Sequence, residues 1–276
     1  MKVSLILPSI RTHLLQAFYE SAEKACSLYN WELIIVGPFE PPEDLLRKKN
    51  VNYISSYANP SICTQIAVKY ATGQYIYNCV DDGLFTPNCI DDAIKLGDAM
   101  ITRGSEEWVI NMRYRESEKG DRPPFDQNYW SAMNTKIGKH LPGIENNWQI
   151  ALHFFMLRSY YNWLGGVDPR FEYVNHGAHD LMFRIQGNGG IVIPSITEGL
   201  ICTHVPETTG DHAPIHHAQL GPDQELFDKI YSVPEVTRSR YRLAYWAYEK
   251  MPNIWRRRFP EGEPLPETYE EMMEYV

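Results

Sequence analysis

Two adjacent carboxylates, Asp81 and Asp82, end the apolar run Gly73 to Val80, and Gly83 follows them. Neighbouring carboxylates repel, so a positive group belongs beside them. A divalent cation meets that need economically, because Mg2+ or Mn2+ is typically held by one or two carboxylates while substrate phosphates complete its shell. The other reading is a turn leading into a helix near Pro87, since Asp and Gly are favoured turn residues. A second chemistry-bearing stretch runs from residue 165 to 187, Gly-Gly-Val-Asp-Pro-Arg-Phe-Glu-Tyr-Val-Asn-His-Gly-Ala-His-Asp-Leu-Met-Phe-Arg-Ile-Gln-Gly.

The elements that must position these groups are legible upstream. Residues 3 to 7 predict a strand, residues 12 to 29 a helix with Thr12 as its cap, and 31 to 36 a second strand broken by Gly37-Pro38. A short helix over 43 to 49, a strand over 51 to 54, a helix opened by Asn59-Pro60 and the strand before Asp81 follow. Alternation of this kind implies a parallel sheet covered on both faces, with every strand C-terminus on one edge. Ligands bind outside those ends. Residues 8 to 11, 37 to 40 and 81 to 82 are therefore expected to share one crevice. Beyond it, the pattern predicts a helix over 87 to 103, a strand over 108 to 112, an irregular segment over 113 to 147, a strand over 151 to 157 and a helix over 159 to 164. Two short strands are expected over 191 to 194 and 200 to 203.

Gly-Gly-x-Asp-x-x-Phe-Glu, then Gly-x-x-Asp-Leu-x-x-Arg, downstream of a strand ending in paired Asp, resembles the metal-dependent GT-A-fold glycosyltransferases, family 2 in particular, over residues 3 to about 204. The resemblance implies an α/β fold of GT-A type, Rossmann-like, with a mixed central sheet. It implies sugar transfer, with inversion, from a UDP- or GDP-type donor. Pro8, Ser9, Arg11, Asn59 and Asp81 are then expected at the donor, with Asp82 on Mn2+ or Mg2+. Some enzymes of this fold add a metal-binding histidine after the last core strand, which nominates His204 or His212. An acidic residue at the start of the later helix acts as base in the family. Asp180 is the first candidate here, with Glu172 and His179 in reserve, because an acceptor hydroxyl needs a proton acceptor within hydrogen-bond reach. The structural alternative for Asp180 is an ion pair with Arg184 at i+4. Two departures stand out: Val36-Gly37-Pro38 replaces the family's second-strand Asp, and Gly177 and Ala178 occupy the places of its Glu-Asp pair.

His204, His212, His216 and His217 lie close together, but the chain has no His-Glu-x-x-His and no structural zinc spacing, which places a zinc hydrolase below the transferase. Residues 235 to 276 predict a C-terminal helical extension with an acidic tail, following a domain of residues 1 to 234. Its basic aromatic part, 236 to 258, is suited to an acceptor, a diphosphate, nucleic acid or anionic lipid. Alternatively, its aromatics pack on the domain while its charges meet the tail. The chain has 276 residues, 43% of them hydrophobic, and a net charge of -9, which suits one large globular body and opposes nucleic-acid binding over the whole surface. Five scattered cysteines predict reduced core thiols. With no apolar span, a cytoplasmic protein is expected. A nucleotidyltransferase and a catalytically degenerate GT-A scaffold remain as alternatives, and the acceptor is open among glycan, protein, lipid and modified nucleic acid.

Overall fold

The computed structural model describes residues 1–116, 149–202, 209–231, 242–243 and 245–274. Its first half is the predicted alternation. β1 (Val3–Pro8), β2 (Trp31–Gly37), β3 (Val51–Ser55) and β4 (Tyr75–Asn78) pair in parallel in the order β3-β2-β1-β4. A central parallel strand is covered on both faces and must be apolar throughout. In β1 the one polar residue, Ser4, donates to Glu32 at 2.6 Å and accepts from the Gly73 amide at 2.9 Å. α1 (Leu15–Ala25) buries Leu15, Phe18, Tyr19, Ala22 and Ala25, a single stripe at helical spacing. Thr12 does not cap it. Thr12–Leu14 forms a 3-10 turn and Leu14 is the cap. α2 (Glu43–Leu46) is one turn, and α3 (Pro60–Tyr70) starts on a real cap, the Asn59 side chain accepting from the Ile62 amide at 2.9 Å.

The second half turns the sheet mixed. β5 (Gly83–Phe85), α4 (Cys89–Thr102), β6 (Trp108–Glu116), β7 (Phe154–Leu157), α5 (Arg158–Leu164), α6 (Val174–Gly187) and β8 (Ile191–Cys202) complete eight strands in the order β3-β2-β1-β4-β7-β6-β8-β5. β7 runs antiparallel to β4 and β6, and β5 antiparallel to β8. The two short strands expected over 191 to 203 are one strand of 12 residues. Pro194 reads as a break because it cannot donate to a ladder. The structure absorbs it where the β6 register shifts after Asn111, and the Arg113 amide bonds to Ser195 Oγ at 3.1 Å. Residues 113 to 116, expected to be irregular, continue β6; the rest of that segment, residues 117 to 147, lies outside the described residues.

α7 (Ala213–Leu220) and α8 (Pro222–Tyr231) precede the C-terminal stretch. The extension is less helical than its composition suggests: among its described residues are a 3-10 segment, Tyr245–Lys250, and the short α9 (Tyr269–Met273). Arg238, Arg240 and Tyr241 lie outside the described residues. Tyr248 packs into the main core, while Trp255, Phe259 and Met272 form a second cluster with Phe39 and Ala218. All five cysteines are buried and free, as expected. Among the described residues no helix is long and apolar enough to cross a membrane.

Candidate functional site

The crevice forms where the strand ends make it form. Beyond β1 the chain turns through Ser9 and Arg11, and the Ser9 amide bonds to the Val36 carbonyl at 3.0 Å. Close approach of these two strand ends requires a glycine, because a Cβ on Gly37 would stand 1.8 Å from the Ser9 carbonyl oxygen. That contact accounts for Val36-Gly37-Pro38. Beyond β4 come Asp81 and Asp82. The strand ends, the first turn of α6, the 210–215 segment and the C-terminal stretch together enclose about 1310 Å3 of empty space, part of it open to solvent.

Charge is concentrated on one side. Arg11, almost fully buried, donates to both carboxylate oxygens of Asp211 at 2.6 and 2.9 Å, and its Nη1 also lies 3.4 Å from Asp81 and 3.3 Å from Asp82. Burial alone would lower the Arg11 pKa, yet Asp211 and the acid pair together raise it. Burial likewise works to raise Asp211, but Arg11 outweighs it and holds that carboxyl below its ordinary range. Ser9 Oγ donates to Asp81 at 2.7 Å and Tyr269 Oη to Asp211 at 3.0 Å. Arg258, 5% exposed, also lines the crevice; it donates to the Asp211 carbonyl at 2.8 Å and makes a 3.6 Å contact with Met272 Sδ. Burial pulls its pKa down to about 10.

Of the residues singled out from sequence, Pro8, Ser9, Arg11, Asp81, Asp82 and His212 all line this crevice. Asn59 does not; its side chain caps α3, and its neighbours Ala58 and Pro60 reach the wall instead. His204 lies outside the described residues. Asp180 has no exposure and is turned inward on α6, where Arg184 Nε meets it at 2.8 Å and Tyr231 Oη at 2.6 Å. Burial raises its pKa. His179 packs beside Phe227 and His176, and burial lowers its pKa to about 3. Neither reaches the crevice. Glu172 abuts it: Trp255, a lining residue, donates Nε1 to the Glu172 carboxylate at 2.5 Å, and Arg257 holds it at 2.7 and 3.0 Å. Burial favours a raised Glu172 pKa, but Arg257 and Trp255 prevail and lower it. Within the basic stretch Arg257 therefore pairs with the Glu172 carboxylate and Arg258 bonds to the Asp211 carbonyl, both in the domain and not in the acidic tail that one of the two sequence alternatives offered. The sequence reading assigns no site role to Asp211, Asn78 or His153, all lining residues, and names Trp255 and Arg258 only as members of the basic aromatic stretch 236 to 258. The Trp-Arg-Arg-Arg run at 255 to 258 is the signal for the last two.

Asp81 and Asp82 are donors that a hard divalent cation accepts, and His212 is an acceptable donor for Mn2+. Among the described residues, however, no group of three or more His, Cys, Asp or Glu is arranged to hold an ion. An ion held by the acid pair would need ligand oxygens and water to complete its shell, and would share the carboxylates with Arg11.

No family model matches the chain, and no curated protein matches it. Solved structures do. One of S. aureus TarS 1-349 in complex with UDP is similar at 15% identity and a TM-score of 0.53, covering 86% of this chain and 70% of that one. A structure of the longer S. aureus TarS matches at 14% identity and a TM-score of 0.53, over 86% of this chain but 43% of its own. The likeness is one of fold, and the fold is of the GT-A glycosyltransferase type.

Proposed function

We propose that the chain transfers a sugar from a UDP- or GDP-type nucleoside diphosphate donor to an acceptor hydroxyl, with inversion, using Mg2+ or Mn2+ at Asp81 and Asp82. The observation that carries this reading is the crevice at the strand C-termini. There an acid pair and two buried guanidinium groups face one cavity, inside a fold shared with a protein solved with UDP. When bound, the ion offsets charge on the leaving diphosphate. The chain's own groups supply the rest. Arg258, which lines the crevice and has no carboxylate within ion-pair distance among the described residues, is the proposed donor to phosphate oxygens. Ser9 and Arg11 hold Asp81 and Asp82 in orientation. Glu172, kept ionised by Arg257 and Trp255, is the proposed acceptor of the incoming hydroxyl's proton.

Thermal stabilisation by a panel of sugar nucleotides, each with Mn2+ and with a chelator, followed by product analysis, tests this. Binding to the native fold raises apparent stability by mass action. The expected result is a metal-dependent shift with one donor class, release of a nucleoside diphosphate, and loss of transfer in Asp82→Asn without loss of folding. Normal turnover in that variant overturns the metal assignment, and formation of a nucleoside triphosphate and a sugar phosphate from the sugar nucleotide plus added pyrophosphate makes the enzyme a nucleotidyltransferase. Absence of any shift in the wild type favours a binding module.

A further inference from the structure

The crevice has a polar corner that the acid pair and the guanidinium groups leave unused. Asn78, the last residue of β4, and His153, just ahead of β7, are 4% and 6% exposed, and both line the cavity. The Asn78 amide is oriented by its Nδ2, which donates to the Leu152 carbonyl at 3.0 Å. Its Oδ1 has no partner. His153 Nδ1 is likewise buried without a partner, and in the neutral tautomer that carries its proton on Nε2 it is a bare acceptor. The ring cannot easily turn away: it stands edge-on to Tyr114 at 4.5 Å and 84°, and its own carbonyl accepts from the Met112 amide at 3.0 Å. Burial keeps it neutral, with its pKa lowered to about 4.

Two buried acceptors left without donors cost the fold stability, and such groups are rare in native structures unless a ligand or water meets them. We infer that Asn78 Oδ1 and His153 Nδ1 form an acceptor pair that recognises neutral O–H or N–H donors on a ring seated in the crevice. In the transferase reading, on which this inference rests, the sugar hydroxyls of the donor are the first source and the N–H of the nucleobase the second. The pair accepts only. It therefore rejects phosphate and carboxylate, and it works beside the charged edge without competing for the diphosphate.

The test compares binding of UDP, GDP and their hexose conjugates, with Mn2+, to the wild type, His153→Gln and His153→Asn by calorimetry. Glutamine carries its amide out to where Nε2 stood but offers no acceptor where Nδ1 stood; asparagine restores one. Sugar-nucleotide affinity is expected to fall about five-fold or more in His153→Gln, with bare nucleoside diphosphate unaffected, and to recover in part in His153→Asn. An equal loss for the bare diphosphate supports the pair and assigns it to the nucleobase. Unchanged affinity for every probe overturns the inference. Asn78→Ser, which draws the amide oxygen away, is the independent variant should His153→Gln fold poorly. If the wild type binds no nucleotide, the transferase reading fails by itself. Free hexoses observed by NMR then decide the pair: binding to wild type but not to His153→Gln supports it, and no binding refutes it.

Discussion

A carboxylate with no exposure to solvent has to be neutralised locally, and Asp180 meets Arg184 and Tyr231 for this at 2.8 and 2.6 Å. Arg184 in turn donates to the carbonyls of Leu164 and Gly166, and Gln65 to that of Gly165. The Asp-Leu-x-x-Arg and Gly-Gly parts of the second motif are thus one brace, an ion pair on α6 clamping the turn after α5. Removing one partner of a buried pair costs about 3–5 kcal/mol. Asp180→Asn is expected to lose that much in urea unfolding, with activity per folded molecule largely kept. Asp82→Asn, on the partly exposed edge where Arg11 still has two other carboxylates, is expected to cost about 1 kcal/mol or less while abolishing transfer. An Asp180→Asn protein as stable as wild type but inactive returns Asp180 to the chemistry. The i+4 spacing made this pair legible in the sequence. The Arg11–Asp211 pair was not legible, because 200 residues separate its members and no local period connects them.

Among the elements, the C-terminal stretch changes most between sequence and structure. The β1 to β4 alternation can be read from the chain because each strand is a short apolar run bounded by breakers. β5, at three residues, is too short to register. The role of residues 254 to 273 depends on contacts with residues distant in the chain. Trp255 and Arg257 fasten it to Glu172, while Arg258 and Tyr269 fasten it to Asp211. Asp223 secures the other side of the latch by accepting the Glu172 and Tyr173 amides at 2.7 and 2.9 Å. Trp255 is 6% exposed, so Trp255→Ala loses both its packing and the bond to Glu172. Truncating a buried aromatic costs about 3–5 kcal/mol. Since the stretch is one wall of the crevice, that loss is expected to appear locally, as faster amide exchange over 254 to 259 and donor binding weakened about ten-fold or more. Unchanged exchange there would mean the wall is held without Trp255.

For the molecule as a whole, acid stability follows from how many histidines the fold buries. Burial lowers the pKa of His153 to about 4 and of His179 to about 3, and lowers that of His176, all from an ordinary value of 6.5. Between those values and 6.5 the unfolded chain binds protons that the folded chain does not, so stability is greatest above 6.5 and falls as the pH drops through this window. Asp223 acts the other way. Burial raises it to about 6, so the folded state keeps a proton that the unfolded chain releases between 3.8 and 6, and acid favours the fold at that site. The histidines outnumber it, but a wild-type curve alone mixes the two effects. His179→Gln separates them, because it removes one buried histidine that does not line the crevice and leaves Asp223 in place. One proton is worth about 1.4 kcal/mol per pH unit. Urea unfolding at a series of pH values is therefore expected to give a wild-type stability that declines between about pH 6 and 4 more steeply than the variant's, by roughly that slope. Parallel curves would show that His179 titrates normally in the folded protein, and that the aromatic pocket formed with Phe227 admits water.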